Sequence, residues 1–240
     1  FEAQHRWGNS LWAQSMQRLL RKKVGMVCLV VIVVLYLWGL LATWTTQYSF
    51  REQDLSIVKQ GPSFSHPLGT DQLGRDMLTR IVYGLRTTVI ITVISLVTGS
   101  LLLGIGLGLV SGYFGKMVDA IIMRVGEVCL AFPGILLVIL IAATARPRVV
   151  GWVRGWGGDE LIRLGVADYV VVSAALLPFS WVTMARLVRG QVFQVKENQY
   201  VEAAQATGAS TGRILLVHIL PNVIGPVIVV VSMGMGAAVG

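Results

Sequence analysis

The side chains able to do chemistry are sparse, and their spacing decides what they could do. Gly208-Ala209-Ser210-Thr211-Gly212 has the GxSxG spacing of a nucleophile elbow, in which the serine would attack an acyl carbon. That role needs a sharp strand-to-helix turn. Here the pentapeptide sits between a short polar segment and a long apolar run, with no strand pattern beside it, so a serine hydrolase is disfavoured. His218 reads as a hydrogen-bonding or headgroup contact rather than a base, and His5 and His66 are isolated. A phosphate-cradling GxxxxGK[ST] occurs nowhere: Gly115-Lys116 is followed by Met117. There is no HExxH and no Cys/His cluster with metal spacing, and Cys28 and Cys129 lie in apolar runs, as small hydrophobes do. The chain is therefore expected not to be an enzyme and to bind no cofactor or metal of its own.

Two polar stretches carry a pattern instead. Within residues 197–221, Tyr200, Ala203, Ala204 and Thr207 recur at spacings of three and four, so on a helix they share one small, smooth face. Gly208 can end that helix, and Ser210 or Thr211 can cap the next. Small side chains permit close approach, which suits docking into a partner's groove. Within residues 66–86, His66-Pro67 and Gly69 make a turn and Thr70 or Asp71 can cap a helix. Leu73, Met77, Leu78, Ile81, Val82 and Leu85 would form its apolar side. Asp71, Arg75 and Asp76 are there either as a local salt-bridged cap or as gating groups.

The elements that hold these stretches are long and apolar. Of 240 residues, 55% are hydrophobic and only 13% charged, with a mean hydropathy of +0.71, where a soluble domain carries about 25% charged residues. This composition indicates an integral membrane protein. The net charge of +8 is spread over segment ends, which argues for lipid headgroups and against nucleic acid. Residues 1–23 read as a cytoplasmic segment with Trp7, Leu11, Trp12, Met16, Leu19 and Leu20 on one stripe. Arg18, Arg21, Lys22 and Lys23 follow it as a positive-inside signal. Spans are expected at 24–44, 87–110, 121–144 and 166–185 and from 214 onward. Residues 45–86 form an extracytoplasmic segment and 87–240 a core domain. Gly99, Gly104, Gly106 and Gly108 line the second span, and Gly104/Gly108 and Gly108/Gly112 have the GxxxG spacing of close helix packing. Arg124 and Glu127 interrupt the third span, and an interfacial ion pair is favoured over a functional role. Residues 145–165, with Arg146, Arg148, Arg154, Arg163, Trp152 and Trp156, read as an anchored loop. Pro178 should bend the fourth span.

Glu202-Ala203-Ala204, followed after three residues by Gly208 and then by Leu220-Pro221, resembles the EAA loop of ABC importer permeases. The family pattern ends Ile-x-Leu-Pro; here His218-Ile219-Leu220-Pro221 shifts the isoleucine by one. The run His66-Pro67-Leu68-Gly69-Thr70-Asp71, continuing to Gly74-Arg75-Asp76, is similar to the C-type permeases of oligopeptide and dipeptide importers. Ala131-Phe132-Pro133 is a weaker match of the same kind. The resemblance implies an all-α polytopic bundle of the type I importer fold, with a sixth span beyond Gly240. It also implies that Tyr200, Glu202, Ala203, Ala204, Thr207, Gly208, Leu220 and Pro221 couple to an ATPase. The partners implied are a second permease in a heterodimer, two ATPase subunits holding ATP and Mg, and an extracytoplasmic binding protein. Peptides, nickel chelates or another small solute are the substrates it allows. A membrane scaffold without transport is the alternative from a different class.

Overall fold

The computed structural model describes residues 23–237; the predicted stripe from Trp7 to Leu20 and the basic residues Arg18 to Lys22 lie outside them. The described residues are mostly helical, with one isolated bridge, Thr70 to Asp76, as the only strand-like pairing among them. They divide into two compact units at Val89 and Ile90.

In the first unit, α1 (Lys23–Leu40) is an unbroken apolar helix. Eighteen residues rise about 27 Å, near the thickness of a bilayer's hydrocarbon core. A turn at Leu41 and the short helix Ala42–Thr45 follow. The polar segment then folds on itself and feeds α2 (Met77–Phe114). Neither Thr70 nor Asp71 caps α2. Asp76 does, accepting the Thr79 amide at 2.7 Å through its carboxylate, because the Thr70–Asp76 bridge holds the backbone extended up to that residue.

The second unit contains the rest of α2 together with α3 (Lys116–Ala131), α4 (Gly134–Arg163), α5 (Val166–Val195), α6 (Gln199–Ala206) and α7 (Thr211–Ala237). Among the described helices, α2, α4, α5 and α7 are long and apolar enough to cross a membrane. Three expectations change. The predicted third span is cut at Phe132-Pro133, because Phe132 is extended (φ −84, ψ 142) and the proline starts a new helix. The predicted loop at 145–165 is helix as far as Arg163, relieved at Gly158 (φ 71). Its four arginines and two tryptophans read as a loop, but packing holds it helical: Val153 is buried and Arg146 Nε reaches Asp168 at 2.9 Å. Finally, α5 does not stop at Ala185 but runs to Val195, interrupted at Trp181, three residues after Pro178. The Arg124–Glu127 pair forms, at 3.0 Å.

The seam between α2 and α5 explains the glycines. A methyl group on Gly104, Gly108 or Gly112 would come within 2.6, 2.7 and 2.6 Å of Met184, Val188 and Val192, and one on Gly99 would strike Ser180. Positions on α5 step by four throughout. The glycines step by five and then by four. The π-helical segment Leu96–Ile105 takes up the extra residue, which keeps Gly99 on the face of the others. Gly106 has open space beside it and is not part of the seam. On α7 the same device recurs: the π-segment Ile214–Ile219 lets Ile214, Ile219, Val223 and Val227 point into one core with Leu109, Met184, Val188 and Val192.

Candidate functional site

Between α5 and α7 the chain leaves the bundle for a single short helix, α6. Asn198 is extended at its N-terminus and the helix runs from Gln199 to Ala206. Its end is a Schellman turn: Gly208 N–H donates to Gln205 O at 2.9 Å and Ala209 N–H to Ala204 O at 3.0 Å. Gly208 adopts φ +76, where a side chain would be strained. The predicted terminator is thus in place. Ser210 occupies the N-cap position of the next helix but makes no capping bond with its side chain.

The expected smooth face divides in two. Val201 is fully buried and Ala204 is 8% exposed, and both belong to the core formed by α2, α5 and α7. Tyr200, Glu202, Ala203 and Thr207 face outward. Tyr200, Ala203, Thr207 and Gly208, with Arg213 and His218 from α7, line an open cleft of about 610 Å³. Ala204, Ala209 and Ser210 line it as well. Leu220 is half-buried and Pro221 exposed on α7. Pro221 has no amide to give, and next to it the Asn222 side chain donates to His218 O at 2.7 Å.

A polar junction ties α2, α3 and α5 together beside α6, and sequence reading missed it. Asp119 at the start of α3 accepts from Ser111 Oγ of α2 at 2.5 Å and pairs with Arg189 of α5 at 2.5 Å. Ser111 is fully buried. Lys196 Nζ donates to Gly112 O at 3.2 Å and lies over the Phe193 ring. Gln205 of α6 reaches Tyr113 OH at 3.5 Å. Ser111 and Asp119 are eight residues apart, but the other partners are separated by 70 to 92 residues, so no local spacing announces them. The available signal was Asp119 itself, a carboxylate only one short turn after an apolar span.

The second stretch, 66–76, is a self-contained knot. His66 Nδ1 sits 3.0 Å from Asp76 Oδ1, and Tyr48 stacks on the imidazole. Asp71 accepts the Leu73 and Arg75 amides at 2.8 and 3.0 Å and pairs with Arg75 at 2.9 Å and Arg80 at 2.6 Å. Thr70 bonds to Ile57 O through its hydroxyl, which also accepts from the Gln60 amide. Gly69 (φ +73) and Gly74 (φ +68) pass so close to Gln60 O and Asp54 O that no side chain fits. Pro67 lies in the turn closed by the Gly69 amide on His66 O. The Arg75 amide, helped by the Leu73 amide and the Arg75 guanidinium, holds the Asp71 carboxyl at about 2. Burial opposes ionisation of Asp76, but the Thr79 amide and His66 outweigh it and keep that carboxyl below its ordinary value. His66, Thr70, Asp71, Arg75 and Asp76 each engage a nearby partner, as a salt-bridged cap requires.

Residues 104–240 match the family described as binding-protein-dependent transport system inner membrane component. Residues 10–62 match the N-terminal TM domain of oligopeptide transport permease C. The chain is 36% identical over 230 residues to a dipeptide transport system permease protein of Alkalihalophilus pseudofirmus, covering 96% of this chain and 69% of that protein. An oligopeptide transport system permease protein of Bacillus subtilis is 34% identical over 96% of this chain and 68% of its own length. A glutathione transport system permease protein of Pectobacterium atrosepticum is 34% identical, over 95% and 69%.

Proposed function

The chain belongs to the family of inner-membrane components of binding-protein-dependent transport systems, and on that premise we propose that it forms half of the translocation pathway of a peptide importer. It is a multi-pass permease of a bacterial inner membrane and works with an ATPase rather than as one. In our reading the ATPase partner is a pair of subunits that hold ATP and Mg. A second permease completes the pathway, and an extracytoplasmic binding protein delivers the peptide. The relatives named for dipeptides, oligopeptides and glutathione support a short peptide as cargo.

The observation that carries the coupling role is the two-sided helix α6. Its outer face offers Tyr200, Glu202, Ala203 and Thr207, while Val201 and Ala204 are embedded among residues of α2, α5 and α7. A push on the outer face is therefore delivered to three helices at once. The Schellman turn at Gly208 and the burial of Val201 and Ala204 stiffen the connection, so little of the motion is lost in the loop. Alternating access needs such a rigid link between the site that binds nucleotide-driven motion and the helices that open and close.

The reading is tested by Glu202→Lys in the full complex reconstituted in proteoliposomes. The expected result is loss of ATPase subunits on purification, with the permease itself still folded. Wild-type assembly and uptake would remove α6 from the coupling role.

A further inference from the structure

The knot at 66–76 does more than cap α2. It also grips a tip, residues 61–65, that takes no part in the cap. On the way in, Lys59 adopts φ +51, a conformation costly for a residue with a side chain, and its amide donates to Asp71 O at 3.1 Å. Gln60 is tied twice to Thr70: its amide donates to Thr70 Oγ1 and its carbonyl accepts the Thr70 amide, each at 3.0 Å. On the way out, His66 is buried against Asp76 and Tyr48. The tip closes on itself as a tight turn. The Ser63 amide donates to His66 O at 2.9 Å, and the His66 amide returns to Ser63 Oγ at 3.1 Å. Phe64 stands on that turn with a relative exposure of 110%. A singly exposed apolar side chain needs no explanation by itself. A phenyl ring held wholly in solvent by strained backbone and reciprocal hydrogen bonds does, because strain of this kind collects at functional sites.

The height of the knot narrows what the ring can meet. Gly39, at the outer end of α1, packs on α2: a methyl group there would come within 3.0 Å of the Leu85 and Arg86 backbones. The apolar layer therefore ends near Arg86. Between Arg86 and Met77 the helix rises about 14 Å beyond it, while headgroups add only about 5–7 Å on each side. Asp76, which holds His66 and caps α2, sits at the top of this stalk. Trp38 and Trp44, exposed around the end of α1, are placed as interfacial anchors. The tip has neither a tryptophan nor a basic residue, which argues against lipid. A permanent subunit seam fits poorly too, since such seams bury a broad apolar surface. Phe64 is instead flanked by Gly61, Pro62, Ser63 and Ser65, all exposed. One aromatic anchor inside a polar rim suits an interface that forms and releases, and a rigid tip loses little entropy at each encounter. We propose that residues 61–65 are a docking point for the extracytoplasmic binding protein, with the Phe64 ring seated in an apolar pocket on that protein's surface. The docking point rests on the importer reading, in which the binding protein is the partner that comes and goes. It gives the stretch from His66 to Asp76 a second task, which is to hold the tip out from the membrane.

The test uses the complete transporter in nanodiscs and its purified binding protein loaded with trialanine. ATP hydrolysis is followed as the binding protein is titrated in. Phe64→Ala should raise the half-stimulating concentration about tenfold, acting through that concentration rather than through the rate at saturation. Phe64→Trp should recover most of the loss. Leu55→Ala, which removes an exposed apolar side chain away from the tip, should match the parent. Photo-reactive p-benzoylphenylalanine in place of Phe64 should cross-link to the binding protein. If the binding protein stimulates the parent but the cross-link goes to lipid or to the second permease, the docking point is overturned and the importer reading stands. The same conclusion follows if Phe64→Ala shifts the titration no more than Leu55→Ala does. If the binding protein fails to stimulate the parent, the importer reading falls and the docking point falls with it.

Discussion

Gly208 contributes through its backbone alone. At φ +76 it lets the amides of Gly208 and Ala209 turn back onto α6, and no neighbouring atom crowds it. Gly208→Val should therefore cost about 1–2 kcal/mol of local strain and leave the spans intact. The ratio of peptide uptake to ATP hydrolysis is expected to fall while the complex still assembles; an unchanged ratio would make Gly208 a turn residue only. Gly108 works in the opposite way, by absence of bulk. A methyl group there meets Ala185 O at 2.8 Å as well as Val188, so Gly108→Val should destabilise by about 1–3 kcal/mol. Gly106→Ala, with open space around it, should leave the melting temperature of the purified complex unchanged. Asp119→Asn tests the junction. Removing one member of a buried pair costs about 3–5 kcal/mol; Arg189 is about one-third exposed, so a loss on the order of 2 kcal/mol is expected, and Asp119→Glu should restore part of it.

The helix α6 and its terminator were legible in the sequence because capping and spacing are local. The glycine seam was legible for the same reason, through GxxxG spacing. Its fifth-residue step at Gly99 was not, since only the partner helix reveals that a π-turn keeps Gly99 in line. Residues 145–165 misled because their arginines and tryptophans read as an anchored loop, yet Val153 and the contact with α5 hold them helical. Trp152 and Trp156 remain exposed on that helix, stacked on each other, as interfacial anchors would be. The knot at 66–76 yields a pH prediction. The folded pKa of Asp71 lies near 2, below its ordinary 3.8. Its ionised form therefore supports the turn fully above about pH 4, and the support is lost as pH falls through about 2. Hydrogen exchange of the Leu73 and Arg75 amides, corrected for intrinsic rates, should rise over that interval. Asp71→Asn should show the raised exchange already at neutral pH.

At the scale of the whole molecule, the proposed function makes the second unit a membrane bundle moved through α6. Composition alone marked the chain as a membrane protein, and the two motif stretches marked the family. The residues that make it a machine come from distant positions: Asp119 with Arg189, Gln205 with Tyr113, and Val201 and Ala204 among Met184, Val188 and Ile219. Long-range pairs of this kind leave no spacing in a single sequence, so the structure was needed to find them. They also decide where a probe belongs. Ala204, on the motif, is 8% exposed and packed inward, whereas Ala203 faces out. The most direct measurement is therefore a disulfide cross-link from Ala203→Cys, with Cys28 and Cys129 replaced, to single cysteines around the groove of the ATPase partner, read with and without ATP in membranes. The account predicts a link at Ala203 whose yield changes with nucleotide, and a much weaker one from Ala204→Cys. An assembled complex with no link from Ala203 at any paired position would contradict the coupling role of α6.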